Sequence, residues 1–257
     1  MTYHLYIANK NYSSWSLRPW LLMRTLNIPF EEHLVPFQSS NDGRQPQFST
    51  FSPTCQVPCL HHFPSSPSPT TAPTPQDNPI IVWESLAIID YLADLHPSLP
   101  IWPSLSTPKG LERRAWARSA AAEMHAGFAA LRNEMGTNVG LRIEFSSSAS
   151  SPAVERDLGR LDELWTDGLR RFGGPYLAGP EFGAVDAFFA PVVLRLQTFV
   201  GSGRYLLSEE SKVYAMTVLE LPELRAWVEA ALGEPWRVGR LEEGAVRGRR
   251  VLEDLRG

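Results

Sequence analysis

The chain has 257 residues, 43% of them hydrophobic and 20% charged, a balance that fits a soluble globular protein long enough for two domains. Its net charge of −4 gives no electrostatic reason to expect nucleic acid or an anionic membrane as a partner. Apolar runs fall well short of the roughly 20 residues a membrane span needs. The opening MTYHLYIANK has no basic flank leading into an apolar core, so the expectation is a cytoplasmic protein.

Charge is unevenly spread. Residues 1–100 carry four Lys/Arg against seven Asp/Glu, and the last twenty-one residues carry six Arg against four acids. That basic stretch, 237–257, reads as a solvated C-terminal tail. Cys55 and Cys59 are the only cysteines; their C-x3-C spacing matches neither a redox C-x-x-C pair nor a zinc knuckle, and no metal is expected.

In chain order, Tyr3-His4-Leu5-Tyr6-Ile7-Ala8 is short and aromatic or β-branched, and reads as a strand. Leu17, Trp20, Leu21, Met23 and Leu26 then form a helical stripe ending at Asn27-Ile28-Pro29. Pro19 is tolerated only in a first turn, so the helix is expected to begin just before it, with Ser13 to Ser16 at its N-terminus. Residues 30–37, 57–63 and 79–83 read as three more strands, with an optional helix between the first two of them. From Glu84 to His96, Leu86, Ile88, Ile89, Leu92 and Leu95 recur at helical spacing until Pro97 stops them.

The order βαβ(α)ββα over residues 1–96 predicts a thioredoxin-like α/β domain whose last two strands form an antiparallel hairpin. Residues 64–79, rich in Pro, Ser and Thr, cannot bury enough apolar area to fold alone and read as a surface insertion in that hairpin. Residues 97–107 read as a linker. Residues 108–236 show helical stripes near 108–135, 152–172, 185–199, 209–219 and 222–232, predicting an all-α second domain.

Three stretches carry the chemistry: Asn11-Tyr12-Ser13-Ser14-Trp15-Ser16-Leu17-Arg18-Pro19, Gln56-Val57-Pro58, and Glu84-Ser85 with Ala87-Ile88-Ile89 and Tyr91-Leu92 following. Together, in this order and at these points of the pattern, they resemble the cytosolic glutathione transferases, most closely the serine-type, zeta-like group and its bacterial and fungal relatives. The resemblance spans roughly residues 3–235. It implies glutathione as co-substrate, a small hydrophobic electrophile as the second substrate, and a homodimer.

A free thiol is mostly protonated at neutral pH, and a hydroxyl at a helix N-terminus can hold its thiolate by a hydrogen bond backed by the helix dipole. The resemblance puts that hydroxyl at Ser13, five residues before Arg18, with Ser14 as the adjacent alternative; an ordinary helix cap would use the same residue type. It implies a cis proline at Pro58, leaving the Val57 backbone to pair with the cysteinyl main chain of glutathione. Gln56 would reach the glycyl carboxylate, and Glu84 and Ser85, opening a helix, would hold the γ-glutamyl end. Conjugation, isomerisation and dehalogenation all fit. Maleylacetoacetate isomerase is one alternative, though Ser-Ser-Trp stands where Ser-Ser-Cys is typical; a non-catalytic ligand binder or a dimeric interaction module is another.

In the second region, Gly183 to Asp186 resembles the family's buried capping box, with Gly in place of the usual Ser or Thr. Met124, His125 and Phe128 read as core.

Overall fold

The computed structural model describes residues 2–38, 43–64, 78–145, 151–201 and 207–256. Strand β1 (Thr2–Ile7) buries Tyr3, Leu5 and Ile7 in strict alternation, as a strand with one core face requires. After it come α1 (Ser14–Thr25), β2 (Glu31–Leu34), a short 3-10 helix (Pro46–Thr50), β3 (Cys59–Phe63), β4 (Ile80–Trp83) and α2 (Ser85–Leu95). The sheet runs β2-β1-β3-β4. β1 is parallel to β2 and antiparallel to β3, and β3 and β4 form the expected antiparallel pair. This is a thioredoxin-like domain with a mixed sheet. The optional helix shrinks to the 3-10 turn, where only Phe48 is buried and no second apolar turn follows. The expected insertion at 64–79 falls largely on residues 65–77, outside the described residues.

α1 departs from expectation at its start. It begins at Ser14, five residues before Pro19, so the proline interrupts the second turn and removes the bond to the Trp15 carbonyl. The Ser13 hydroxyl caps it by accepting from the Ser16 N–H at 3.4 Å. Burial then overrides propensity: every residue from Ser16 to Met23 is enclosed.

The second region holds α3 (Gly110–Ala126), α4 (Ala129–Glu134), α5 (Pro152–Phe172), α6 (Ala184–Thr198), α7 (Glu209–Leu219), α8 (Pro222–Leu232) and α9 (Gly239–Val246). The stripe expected over 108–135 is two helices, divided at Gly127 and at Phe128, whose φ of 54° lies in the left-handed region. α6 is buried almost end to end and packs against α1, α3 and α7. Asp186, near its start, accepts from the N–H groups of Gly183 and Leu177, each at 3.0 Å, and from the Tyr214 hydroxyl at 3.1 Å. A Cβ on Gly183 would lie 3.0 Å from the Pro100 carbonyl oxygen and 3.1 Å from that of Ile101. The missing cap hydroxyl is therefore the consequence of a close backbone approach.

The region is helical but not all-α. Strands β5 (Leu141–Phe145), β6 (Phe199–Gly201) and β7 (Val251–Asp254) form a second sheet in the order β6-β5-β7. β5 buries Leu141, Ile143 and Phe145 and turns Arg142 and Glu144 outward, a period-two pattern too short to stand out among helical stripes. The basic stretch 237–257 is likewise no solvated tail. It contributes α9 and β7, and the Arg256 side chain is only 3% exposed, between Glu242 and Asp254.

Candidate functional site

A cavity of about 1080 Å³ opens between the two regions, at the N-terminus of α1. Its α/β wall comprises Ser13, Ser14 and Trp15, the loop Thr54 to Pro58, and Glu84. Its helical wall is His125, Arg132, Asn133, Gly136, Thr137 and Arg195, and Leu241, Gly244 and Ala245 of α9 lie above. The volume matches the upper range of small-molecule sites, about 300–1,000 Å³.

Six of the seven residues singled out in the sequence line this cavity: Ser13, Ser14, Gln56, Val57, Pro58 and Glu84. The Val57–Pro58 peptide is cis. Ser85 does not line it. It is fully enclosed, and its hydroxyl accepts a hydrogen bond from Arg18 Nη1 at 3.4 Å.

The two candidate serines differ in how their hydroxyls are engaged. Ser13 Oγ donates to Ser16 Oγ at 2.7 Å while accepting from the Ser16 N–H. Its proton is thus turned back into the helix end. Ser14 Oγ accepts from Arg195 Nη2 at 3.3 Å and makes no other side-chain hydrogen bond among the described residues, which leaves its O–H able to donate.

Glu84, with φ 73°, holds a backbone conformation that side-chain-bearing residues rarely adopt, and conformations of this kind, costing about 1–3 kcal/mol, cluster at functional sites. Its half-exposed carboxylate makes no cap bond to α2 and lies 3.5 Å from His125 Nε2. Burial, then the charge of Arg18, holds the His125 imidazolium pKa below its ordinary range.

Three buried or half-buried arginines surround Ser14 and Trp15. Arg195 donates through Nη1 to the carbonyls of Arg132 and Met135. Burial pushes its pKa down to about 10, and that of Arg18 down to about 9. Neither arginine was marked as a site residue by sequence motif. The signal for Arg195 is a lone charge inside Val192-Val193-Leu194-Arg195-Leu196, an apolar run where a cation needs a reason to be. Met124 and Phe128 are core, as expected, whereas His125 faces the cavity.

Away from the cavity, His4, Glu31 and His33 bring one donor atom each within 4.8 Å of one another. The pairing of β1 with β2 creates this set from residues far apart in sequence, so spacing gave no sign of it.

The architecture is the glutathione-transferase fold. Residues 12–95 match the family model "Glutathione S-transferase, N-terminal domain". Among solved structures, FzlA from C. crescentus is similar at 17% identity and a TM-score of 0.63, over 92% of this chain and 94% of that one. A glutathione transferase homolog from Burkholderia GL BGR1 with bound glutathione is similar at 17% identity and TM-score 0.60, covering 90% and 98%. Glutathione transferase URE2P6 from Phanerochaete chrysosporium, in complex with oxidized glutathione, gives 18%, 0.61, and coverage of 90% and 96%. No curated protein matches the sequence.

Proposed function

We propose that this protein is a glutathione transferase that binds glutathione along Gln56, Val57, Pro58 and Glu84 and activates its thiol with a serine hydroxyl at the start of α1. The observation that carries this reading is the convergence of three sequence-distant motifs on one cavity. The cis Val57–Pro58 peptide stands at the entrance of β3, where the reading needs the Val57 backbone to receive the cysteinyl main chain. Glu84 supplies a carboxylate for the γ-glutamyl ammonium. Ser85, enclosed with Arg18, would act on that end only by fixing the start of α2.

Between the serines, Ser14 is favoured, because its oxygen already accepts from a fixed cation and its proton is free to stabilise a thiolate. The helix N-terminus adds a favourable field of about 0.3–1 kcal/mol.

The exposed β4 edge, with Ile80, Ile81 and Trp83 each 40–45% exposed, supports a homodimer, since an open apolar edge strand invites pairing. Sedimentation of the protein and of Trp83→Glu tests this, with a monomeric variant and a dimeric parent expected.

The central test is ultraviolet absorbance of the bound thiolate, followed as glutathione is titrated. The parent should bind glutathione and generate thiolate near neutral pH. Ser14→Ala should keep binding while losing thiolate and most turnover with a general electrophile. A parent that binds no glutathione ends the transferase reading.

A further inference from the structure

Glutathione activation leaves most of the helical wall without a use. Arg132 of α4 and Arg195 of α6 line that wall, and the guanidinium of Arg18 from α1, enclosed and not itself lining the cavity, lies close to both. Arg18 lies over the Trp15 ring at 4.1 Å and over Phe188 at 4.7 Å, and Arg132 approaches the same Trp15 ring at 5.8 Å. Among the described residues, no carboxylate forms an ion pair with any of the three. Arg195 and Arg132 both weigh on Arg18, which Glu84 offsets in part; Arg132 weighs on Arg195, and Asp157 in turn supports Arg132. Arg18 and Arg195 are buried and Arg132 is half-buried, and enclosed cations with no bonded carboxylate are costly to hold, so an anion entering the cavity beside them would be favoured.

The donors are arranged to receive one. Arg132 spends Nη1 on the carbonyls of Met124 and His125, at 3.1 and 3.3 Å, and its Nε and Nη2 make no hydrogen bond among the described residues. Those two N–H groups form the side of the guanidinium that takes a carboxylate in two parallel bonds. Thr137 Oγ1 and His125 Nδ1 are buried without a partner, and Thr137, His125 and the Asn133 amide share this wall. Arg195, anchored on the Arg132 and Met135 carbonyls, adds charge behind it.

We propose that Arg132, Thr137 and Asn133 form a subsite for a carboxylate of the second substrate, so that the electrophile is an apolar body carrying a carboxylate and not a neutral compound. This rests on the glutathione reading of the opposite wall and extends it. A carboxylate could also come from glutathione itself, so the measurement is made with that site filled.

The experiment is calorimetric titration of benzoate and of its neutral analogue benzamide into glutathione-saturated protein. Benzoate should bind at least about tenfold more tightly than benzamide, the gain expected of a charge-assisted pair of bonds. Arg132→Gln should bring the two to parity, and Arg132→Lys, keeping the charge but losing the fork, should recover part of the difference. Should Arg132→Gln not fold, Thr137→Val decides in its place, with a selective loss of benzoate affinity expected. Equal binding of benzoate and benzamide by the parent would overturn the subsite. So would benzoate binding that disappears on saturation with glutathione, which would assign Arg132 to glutathione's own carboxylate. If glutathione itself does not bind, the transferase reading fails separately, and the same benzoate and benzamide comparison in the free protein still decides the anion subsite.

Discussion

His125 Nε2 on α3 stands 3.5 Å from the carboxylate of Glu84 at the head of α2, so the two walls of the cavity touch through a titratable pair. Burial and the Arg18 charge depress the imidazole, and Glu84 only partly offsets them. The ring is thereby disfavoured as a cationic partner for Glu84, whose half-exposed side chain stays open to the cavity.

A pH dependence follows. The folded protein takes up the His125 proton less readily than the unfolded chain, whose imidazole titrates near about 6.5. The stability tied to His125 is therefore complete above that value and is lost as pH falls through it toward the lower folded value. Chemical denaturation between pH 5 and 8 should show a decline on the acid side that is shallower in His125→Gln. Parallel profiles for the two proteins would remove His125 as the source.

The two serines should separate by what they damage. Ser13→Ala removes the α1 cap and should cost about 1 kcal/mol of stability while leaving thiolate formation largely intact. Ser14→Ala should do the reverse. Equilibrium unfolding alongside the thiolate titration reads both, and a Ser13→Ala protein that is stable but without thiolate would reverse the assignment.

Asp186 is wholly enclosed and accepts three hydrogen bonds, and burial pushes its pKa up to about 6. Asp186→Ala would strand two backbone N–H groups and the Tyr214 hydroxyl, at about 1–3 kcal/mol for each unsatisfied group. A drop in Tm of roughly 10 °C follows at about 2–4 °C per kcal/mol. Asp186→Asn, which keeps one acceptor oxygen for Leu177 and Tyr214 but turns an N–H donor toward the Gly183 N–H, should lose less than the alanine variant. A change under about 2 °C for the alanine variant would mean that the cluster relaxes without penalty.

The roof of the cavity hangs on Glu242 of α9, which receives the Tyr12 hydroxyl at 2.5 Å, Asn138 Nδ2 at 3.1 Å and both terminal nitrogens of Arg256. Arg256→Ala should release β7 from β5 and speed amide exchange at Leu255, whose N–H donates to the Gly140 carbonyl at 2.8 Å. Tyr12→Phe should weaken the same clasp by about 1 kcal/mol without that release. Unchanged exchange in Arg256→Ala would show that β7 holds without it.

Most of the thioredoxin-like half was legible in the sequence, because β1 alternates strictly, β4 is a short apolar run and α2 carries a helical period with a clear stop at Pro97. The helices of the second region were equally visible. Three kinds of feature were not. Short strands such as β7 gain their pairing from a partner more than 100 residues away, so local pattern says little. Pro19 sits in a second turn because burial outweighs propensity. The arginine cluster is assembled from α1, α4 and α6, and only a lone Arg195 in an apolar run hinted at it. The motif residues themselves were legible as positions, but which of two adjacent hydroxyls has a free proton depends on Ser16 and Arg195, neighbours brought there by folding.

The clasp between Tyr12 and Glu242 also bears on how the molecule is made. The residue just before the two candidate serines is tied to one 230 positions later. Closing so long a loop is entropically expensive, and contacts of this separation tend to form late. The α/β sheet and the helical stripes can be in place while Tyr12 still lacks its partner. During refolding, recovery of glutathione-dependent turnover should trail recovery of helical signal, and the length of that lag would report when α9 takes its place.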